Sequence, residues 1–367
     1  MIYKAKWILR VDKPPIENGS IEIQNGKIVK IGKKITGKTV DLGSGVMLPA
    51  LINSHTHLEM PKIDTVSHKG FIRWLRSFIK EIKVMDRQFF QENLQKNETV
   101  SKSDGTSFVC DITNHANLTY KTKGVSFAEQ IGWDDKPIVK LEKTGNSIVH
   151  SYAAHAIYST SPEKIKASYF YCKANNLPWS IHLAESAEEI AFCSGKGEFI
   201  DFLNGFADIN YIKIPHLKPA VYLDSLGVLR RNSILVHSVH LSDEEIELIA
   251  QKGCTICVCP RSNEYIGVGR ADIEKFLEKG INVVAGTDSL LSNDDLSMIK
   301  EIEYIVDNFK IAPYIALKFA TINAQKALGV TFGKLEEGYN APLLFVQGNS
   351  SDPYEIIFDG KANIITD

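Results

Sequence analysis

Apolar and polar positions alternate over the first forty-odd residues, with Ile21, Ile23, Ile28, Val29 and Ile31 around Asn25-Gly26. A period of two belongs to half-buried strands, and Asn-Gly favours a tight hairpin turn, so this stretch is expected to form a small β unit. From Val46 the texture changes to short apolar runs at 46–54, 106–112, 125–131, 148–154, 179–182, 234–237, 255–259 and 283–287. Helical stretches separate most of them. In one, Phe71, Trp74, Leu75, Phe78, Ile79 and Ile82 recur at i, i+3, i+4 spacing. Its Arg73, Arg76, Lys80 and Lys83 are interrupted by Glu81 and Asp86, which reads as a solvated face over a buried stripe, not as a nucleic-acid or membrane helix. Eight strands over roughly 250 residues match an α/β fold of the (β/α)8 TIM-barrel type. After Gly329 strand-like runs return at 343–346 and 356–358. The two chain ends are therefore expected to pair into a small β-sandwich domain (1–47 with 330–367) beside a barrel of residues 48–329.

Composition narrows the function classes. With 367 residues, 44% of them hydrophobic, the chain can bury a sizeable core, which excludes whole-chain disorder. Forty-two Lys and Arg against 44 Asp and Glu leave a net charge of -2, so no global field attracts nucleic acid or an anionic membrane. No run approaches the roughly 18 apolar residues of a membrane span. The expectation is a soluble, cytoplasmic protein with a small-molecule substrate and neither nucleic acid nor membrane as partner; a homodimer is left open. Six Cys make no disulfide framework in a chain this long. On a strand Cys257 and Cys259 share one face and Cys254 takes the other, so they read as packing, not as a zinc cluster.

The ten His change the picture. His55 and His57 stand at i and i+2 after an apolar run, so on a strand both project to one side and can share an ion. The fifth run ends in His182, with Glu185 three residues on. The sixth ends in His237, followed by His240, and the eighth runs into Asp288. Barrel strands deliver their C-terminal ends to one face, so these residues converge there. The fourth run carries no Lys or carboxylate to bridge a second ion. This argues for one divalent metal, zinc or else iron, on His55, His57, His182 and Asp288, with a position left for a water whose pKa falls to about 7. Glu185 is placed to shuttle protons, the alternative being a carboxylate at a helix N-terminus. His237 is expected to orient the water or polarise the substrate. His240, before a Ser242/Glu245 capping box, stands between a supporting and a catalytic role. His155 reads as a substrate contact, while His68, His115, His150 and His216 fit no motif.

Other designs are poorly served. A deaminase of the H-x-E, P-C-x-x-C kind would need Pro where Gly253 precedes Cys254, and would claim His57 twice. There is no G-x-S-x-G, and Gly267-Val268-Gly269 lacks the third glycine of a dinucleotide loop. A barrel that has lost its chemistry is the non-enzyme alternative, against which every ligand and proton-transfer position is filled.

Taken together, the stretch 48–58 with its His55-Thr56-His57, His182-Leu183-Ala184-Glu185, the stretch 236–241 with His237 and His240, Cys259-Pro260-Arg261-Ser262-Asn263 and Gly286-Thr287-Asp288-Ser289 resemble the amidohydrolase superfamily. Within it they resemble the metal-dependent deaminases and chlorohydrolases, over nearly the whole chain. The closing stretches Thr321-Ile322-Asn323-Ala324 and Ala327-Leu328-Gly329, then Gly338 and Ala341, are similar too; departures fall at Ile157 and at Ala341-Pro342, outside the metal set. The resemblance implies one zinc or iron ion on His55, His57, His182 and Asp288, with Glu185 and His237 as acid and base machinery and Asp288 doubling as proton acceptor. The stretch Phe71-Ile72-Arg73-Trp74-Leu75 with 259–263 and 268–270 looks most like the aminofutalosine deaminases of menaquinone synthesis. That likeness implies 6-aminodeoxyfutalosine as substrate, with Arg261 or Arg270 pairing a benzoate, a structural ion pair being the competing reading for either arginine; Trp74, His155, His240 and Arg261 are the expected substrate contacts. Deamination of S-adenosylhomocysteine, adenosine, guanine or a pterin, or chlorohydrolysis of a heteroaromatic ring, is the runner-up.

Overall fold

The computed structural model describes residues 1–64, 66, 70–115, 118–134, 138, 148–205, 212–340 and 342–366. His68 and Ala341 lie outside them. Strands β1 (Ile2–Ile8), β2 (Ile16–Gln24), β3 (Lys27–Gly32), β4 (Thr39–Asp41) and β5 (Gly45–Pro49) precede the barrel strands β6 (Leu51–Thr56), β7 (Thr106–Thr113), β8 (Lys123–Gln130), β9 (Ile148–Ala156), β10 (Trp179–Leu183), β11 (Ser233–His237), β12 (Thr255–Val258) and β13 (Asn282–Ala285). The chain closes with β14 (Leu343–Gln347) and β15 (Lys361–Thr366). Strands β6 to β13 pair in sequence order, all parallel, and a parallel bridge between Thr56 and Asp288 joins the last to the first.

Strand periodicity sorts the apolar side chains. Ile234, Val236, Cys257 and Val284 face the barrel interior, whereas Leu235, Ile256, Val258 and Val283 pack outward against the helices. Cys257 and Cys259 fall in the interior cluster and Cys254 in the outer one, all six cysteines being buried thiols. The expected packing role is the one found.

The chain ends form one seven-stranded sheet, order β15-β14-β5-β1-β2-β3 with β4 beside β1, in place of two facing sheets. The turn between β2 and β3 has Asn25 and Gly26 at φ 50° and 72°, the left-handed pair a type I′ hairpin requires. Alternation again decides the packing: Leu344 and Val346 of β14 join the barrel's outer core, while Leu343 and Phe345 join the sheet's own cluster with Ile21, Ile28 and Met47.

Two further sequence expectations change. The run 46–54 is two strands, β5 in the terminal sheet and β6 in the barrel, with Ala50 between them. The run 356–358 belongs to a helix, Pro353–Asp359, not a strand. Asp352 caps it by accepting from Tyr354 N at 2.8 Å and Pro353 takes the first turn, and these signals outweigh the β-branched Ile356 and Ile357. Among the described residues no helix is long and apolar enough to cross a membrane.

Candidate functional site

The C-terminal ends of the barrel strands meet around a cavity of about 300 Å³. On its floor, potential ligand atoms of His55, His57 and His182 lie within 4.8 Å of one another. Nε2 of His55 and His182 are 3.3 Å apart, and Oδ1 of Asp288 is 3.6 Å from Nε2 of both His55 and His57. The four expected ligands thus come together. Local backbone explains how. The β6–β7 register slips between Asn53 and Thr56, and β6 is laced to the end of β13 by Asn53 Nδ2 to Thr287 Oγ1 (2.7 Å), Thr56 Oγ1 to Asp288 O (2.9 Å) and Asp288 N to His55 O (3.1 Å). Ala184, His237, Ser238 and Asp288 all adopt positive φ, between 51° and 68°. Non-glycine residues rarely do so, and such strain gathers where a side chain must be aimed.

The chemistry of these donors fits a divalent ion. His182 donates Nδ1–H to the His155 carbonyl at 2.8 Å, which leaves its Nε2 lone pair toward the cluster. Burial holds His55 and His182 below the ordinary imidazole pKa and takes His57 down to about 4, so three neutral imidazoles face one point. Asp288 differs. Burial alone would raise its carboxyl, but the His55 hydrogen bond and the facing His237, His57 and His55 hold it well below the usual range. Ser262 and Ser292 also donate to its Oδ2 at 2.6 and 2.7 Å.

Glu185 and His237 stand together above this cluster, Oε1 to Nε2 at 3.5 Å. Burial, then the charges of Asp288 and Glu189, push the Glu185 carboxyl well above its ordinary value. Glu189 accepts the Glu185 backbone N–H at 3.0 Å. Burial takes His237 down to about 4, and its Nδ1–H is fixed on Asn263 Oδ1 at 2.9 Å, so a neutral ring with a free Nε2 faces the cavity.

Of the expected substrate contacts, Trp74 and His155 line the cavity; Trp74 is anchored by Nε1–H to Leu291 O at 2.9 Å. The helix Phe71–Ile82 carries Trp74, Leu75, Phe78, Ile79 and Ile82 onto the wall, joined by Phe202 and Leu203, while Arg73, Arg76, Lys80 and Lys83 are exposed. His240 lies outside, with Nε2–H on Val268 O at 2.7 Å, before a helix that opens with the expected capping box. Arg261 is also outside the lining. Its guanidinium pairs with Asp295 at 2.9 Å and reaches Glu301 at 3.8 Å, the arrangement of a structural ion pair. Arg270 stacks on Phe309 and donates to Asn308 O at 2.6 Å. Sequence reasoning passed over Glu129, Ser292 and Glu189, and gave Ser262 and Asn263 no role beyond their place in the motif 259–263. Of the three passed over, only Glu129 carried a signal of its own, a carboxylate at the end of a strand.

With this geometry, the relatives become informative. The chain is 29% identical over 380 residues to the 5-methylthioadenosine/S-adenosylhomocysteine deaminase of Pyrococcus furiosus, covering 94% of this chain and 86% of that protein. It is 29% identical over 369 residues to the 5'-deoxyadenosine deaminase of Methanocaldococcus jannaschii, covering 91% and 83%. Among solved structures, Helicobacter pylori aminofutalosine deaminase in complex with methylthio-coformycin superposes with a TM-score of 0.87 at 23% identity, over 98% of this chain and 97% of that one. A zinc-bound adenosine deaminase from Xanthomonas campestris gives 0.78 at 19%, over 98% and 89%. These two likenesses speak to the fold. The amidohydrolase family model matches residues 46–366, and the chain therefore belongs to the amidohydrolase family.

Proposed function

We propose that this chain is a metal-dependent hydrolytic deaminase of a 6-aminopurine nucleoside. The observation that carries the reading is one cavity that holds a raised carboxyl, Glu185, 3.5 Å from neutral His237, and a lowered one, Asp288, beside three converging imidazoles. His55, His57, His182 and Asp288 would hold a single ion, zinc in the first place and iron in the second. When bound, the ion supplies Lewis acidity that lowers the pKa of a water to about 7.

The chain's own groups do the rest. Glu185, kept protonated by burial, donates its proton to the purine ring nitrogen beside the amine-bearing carbon, and that carbon becomes the site of attack by water. Asp288, kept ionised, accepts the proton the water loses, and His237 holds the attacking oxygen through its free Nε2. Asp288 then passes that proton to the amine, ammonia leaves, the hydroxyl's remaining proton returns to Glu185, and the ring carbon keeps the oxygen as a carbonyl. Trp74, Leu75 and Phe78 exclude water around these steps.

The substrate we propose first is 6-aminodeoxyfutalosine. A second reading, a 5′-thioether adenosine such as 5-methylthioadenosine, is favoured by the apolar wall and by the absence of Arg and Lys among the described lining residues. The names of the relatives support both. Ammonia release from these two nucleosides, S-adenosylhomocysteine, adenosine and guanine ranks the candidates; release from none of them would sink the deaminase reading. We further propose that residues 48–329 form the catalytic unit and residues 1–47 with 330–367 a single supporting one.

A further inference from the structure

The fold treats the two carboxylate oxygens of Asp288 differently. Oδ1 lies 3.6 Å from Nε2 of His55 and 3.6 Å from Nε2 of His57. Oδ2 accepts the hydroxyls of Ser262 at 2.6 Å and Ser292 at 2.7 Å, the lengths of hydroxyls donating to a charged carboxylate. Both serines are fully buried, and neither lines the cavity. Two donors use up the lone pairs of one carboxylate oxygen, so Oδ2 is filled from the protein side and Oδ1 is left to the imidazoles. The backbone of Asp288 is already fixed, its N–H on His55 O at 3.1 Å, its carbonyl accepting from Thr56 Oγ1 at 2.9 Å and its φ at 59°. That leaves the rotation of the carboxylate about its last bond, a torsion with only broad preferences of its own. The serines restrain it from two directions. Ser292 stands four residues beyond Asp288, while Ser262 belongs to the helix Pro260–Ile266 that follows β12. Strand β12 supplies none of the four proposed ligands, yet the turn after it braces both neighbouring strands, Ser262 holding Asp288 after β13 and Asn263 holding His237 of β11. The Ser262 hydroxyl makes no other hydrogen bond among the described residues.

We infer that Ser262 and Ser292 are positioning residues that clamp Asp288 by Oδ2, so that it offers a divalent ion one oxygen in place of two and leaves room for the reacting water. The inference rests on the single-ion reading above and adds to it two residues outside the cavity. Without the hydroxyls the carboxylate is free to turn and bind through both oxygens, which fills the position a catalytic site keeps open.

The cobalt(II)-loaded protein reads this without any substrate, because the visible absorption of the ion weakens as it gains ligands. Ser262→Ala and Ser292→Ala, made singly and together, should each hold one cobalt per chain with a weaker visible band than the wild type. In steady-state deamination by the zinc-loaded proteins, each single variant should lose about 10- to 100-fold in kcat with KM within about twofold. Rates are taken per bound ion, so a fraction that fails to fold or load does not imitate the effect, and the two single variants stand if the double one does not fold. An unchanged band with unchanged kcat per ion in both single variants overturns the inference, and so does a loss that added metal restores in full. Variants whose band weakens in a protein that deaminates no nucleoside would keep the clamp and remove the deaminase reading. A wild type that releases ammonia, matched by its variants in band and rate, would do the reverse.

Discussion

Asp288 and Glu185 are both buried carboxyls in one cavity, yet their surroundings drive them apart. Three imidazoles and two serine hydroxyls face the first, while burial and two further carboxylates surround the second. Such divergence is what the proposed acid, Glu185, and the proposed base, Asp288, require. Glu185→Gln should lower kcat by about 10²- to 10⁴-fold with metal content unchanged, as steady-state kinetics and metal analysis on the same preparation will show. Asn263→Ala frees the His237 ring, and kcat should fall by about 10- to 100-fold with little change in KM; an unaltered kcat would remove Asn263 from the site. Imidazoles bind metal only when neutral. Burial carries His57 to about 4, so the ion should survive dialysis at pH 5.5 and be released on approach to pH 4. Half-loss near pH 6.5 would mean exposed, ordinary histidines. The convergence of His55, His57, His182 and Asp288 was legible in the sequence because each stands at the end of an apolar run. The hydrogen-bonding roles of Asn263, Ser262 and Ser292 were not, since they depend on which strand ends lie side by side.

At the scale of elements, the site depends on the seam between β6 and β13. A Cβ on Gly286 would stand 2.6 Å from the His55 carbonyl oxygen and 2.7 Å from its Cβ, so no side chain fits there without moving His55, a proposed metal ligand. Gly286→Ala should therefore weaken metal binding, and overpacking of this kind costs about 1–3 kcal/mol of stability; metal titration and thermal unfolding read both. Strand order and helix Phe71–Ile82 were readable from periodicity. That the helix's apolar stripe is both core and cavity wall was not, because burial against a protein and burial against a ligand leave the same pattern. The helix Pro353–Asp359 shows the opposite failure: Ile356-Ile357-Phe358 reads as a strand until the Asp352-Pro353 start signal is given its weight.

For the whole molecule, the terminal sheet supports the barrel through one face of β14. Leu344 is fully buried and packs over Gly105, just before β7, so Leu344→Ala should cost about 2–5 kcal/mol in denaturant unfolding although it lies far in sequence from every barrel strand. Glu301 couples the fold to pH. Burial raises its carboxyl to about 8, against about 4.5 for the unfolded chain, so the folded state holds a proton that the unfolded one has lost. Its contribution is fully present below about pH 4.5 and disappears as pH rises through 8. Glu301→Gln cannot ionise, and its Tm relative to the wild type should rise steadily from pH 5 to 8; a constant difference would contradict the assignment. The central claim, a single-ion hydrolytic deaminase, is tested most directly by ammonia release from the nucleoside panel before and after chelation and after restoring one equivalent of zinc. The account predicts rapid release from at least one 6-aminopurine nucleoside, loss on chelation and recovery at one ion per chain. Undiminished turnover by the metal-free protein, or no release from any nucleoside with the ion bound, would contradict it.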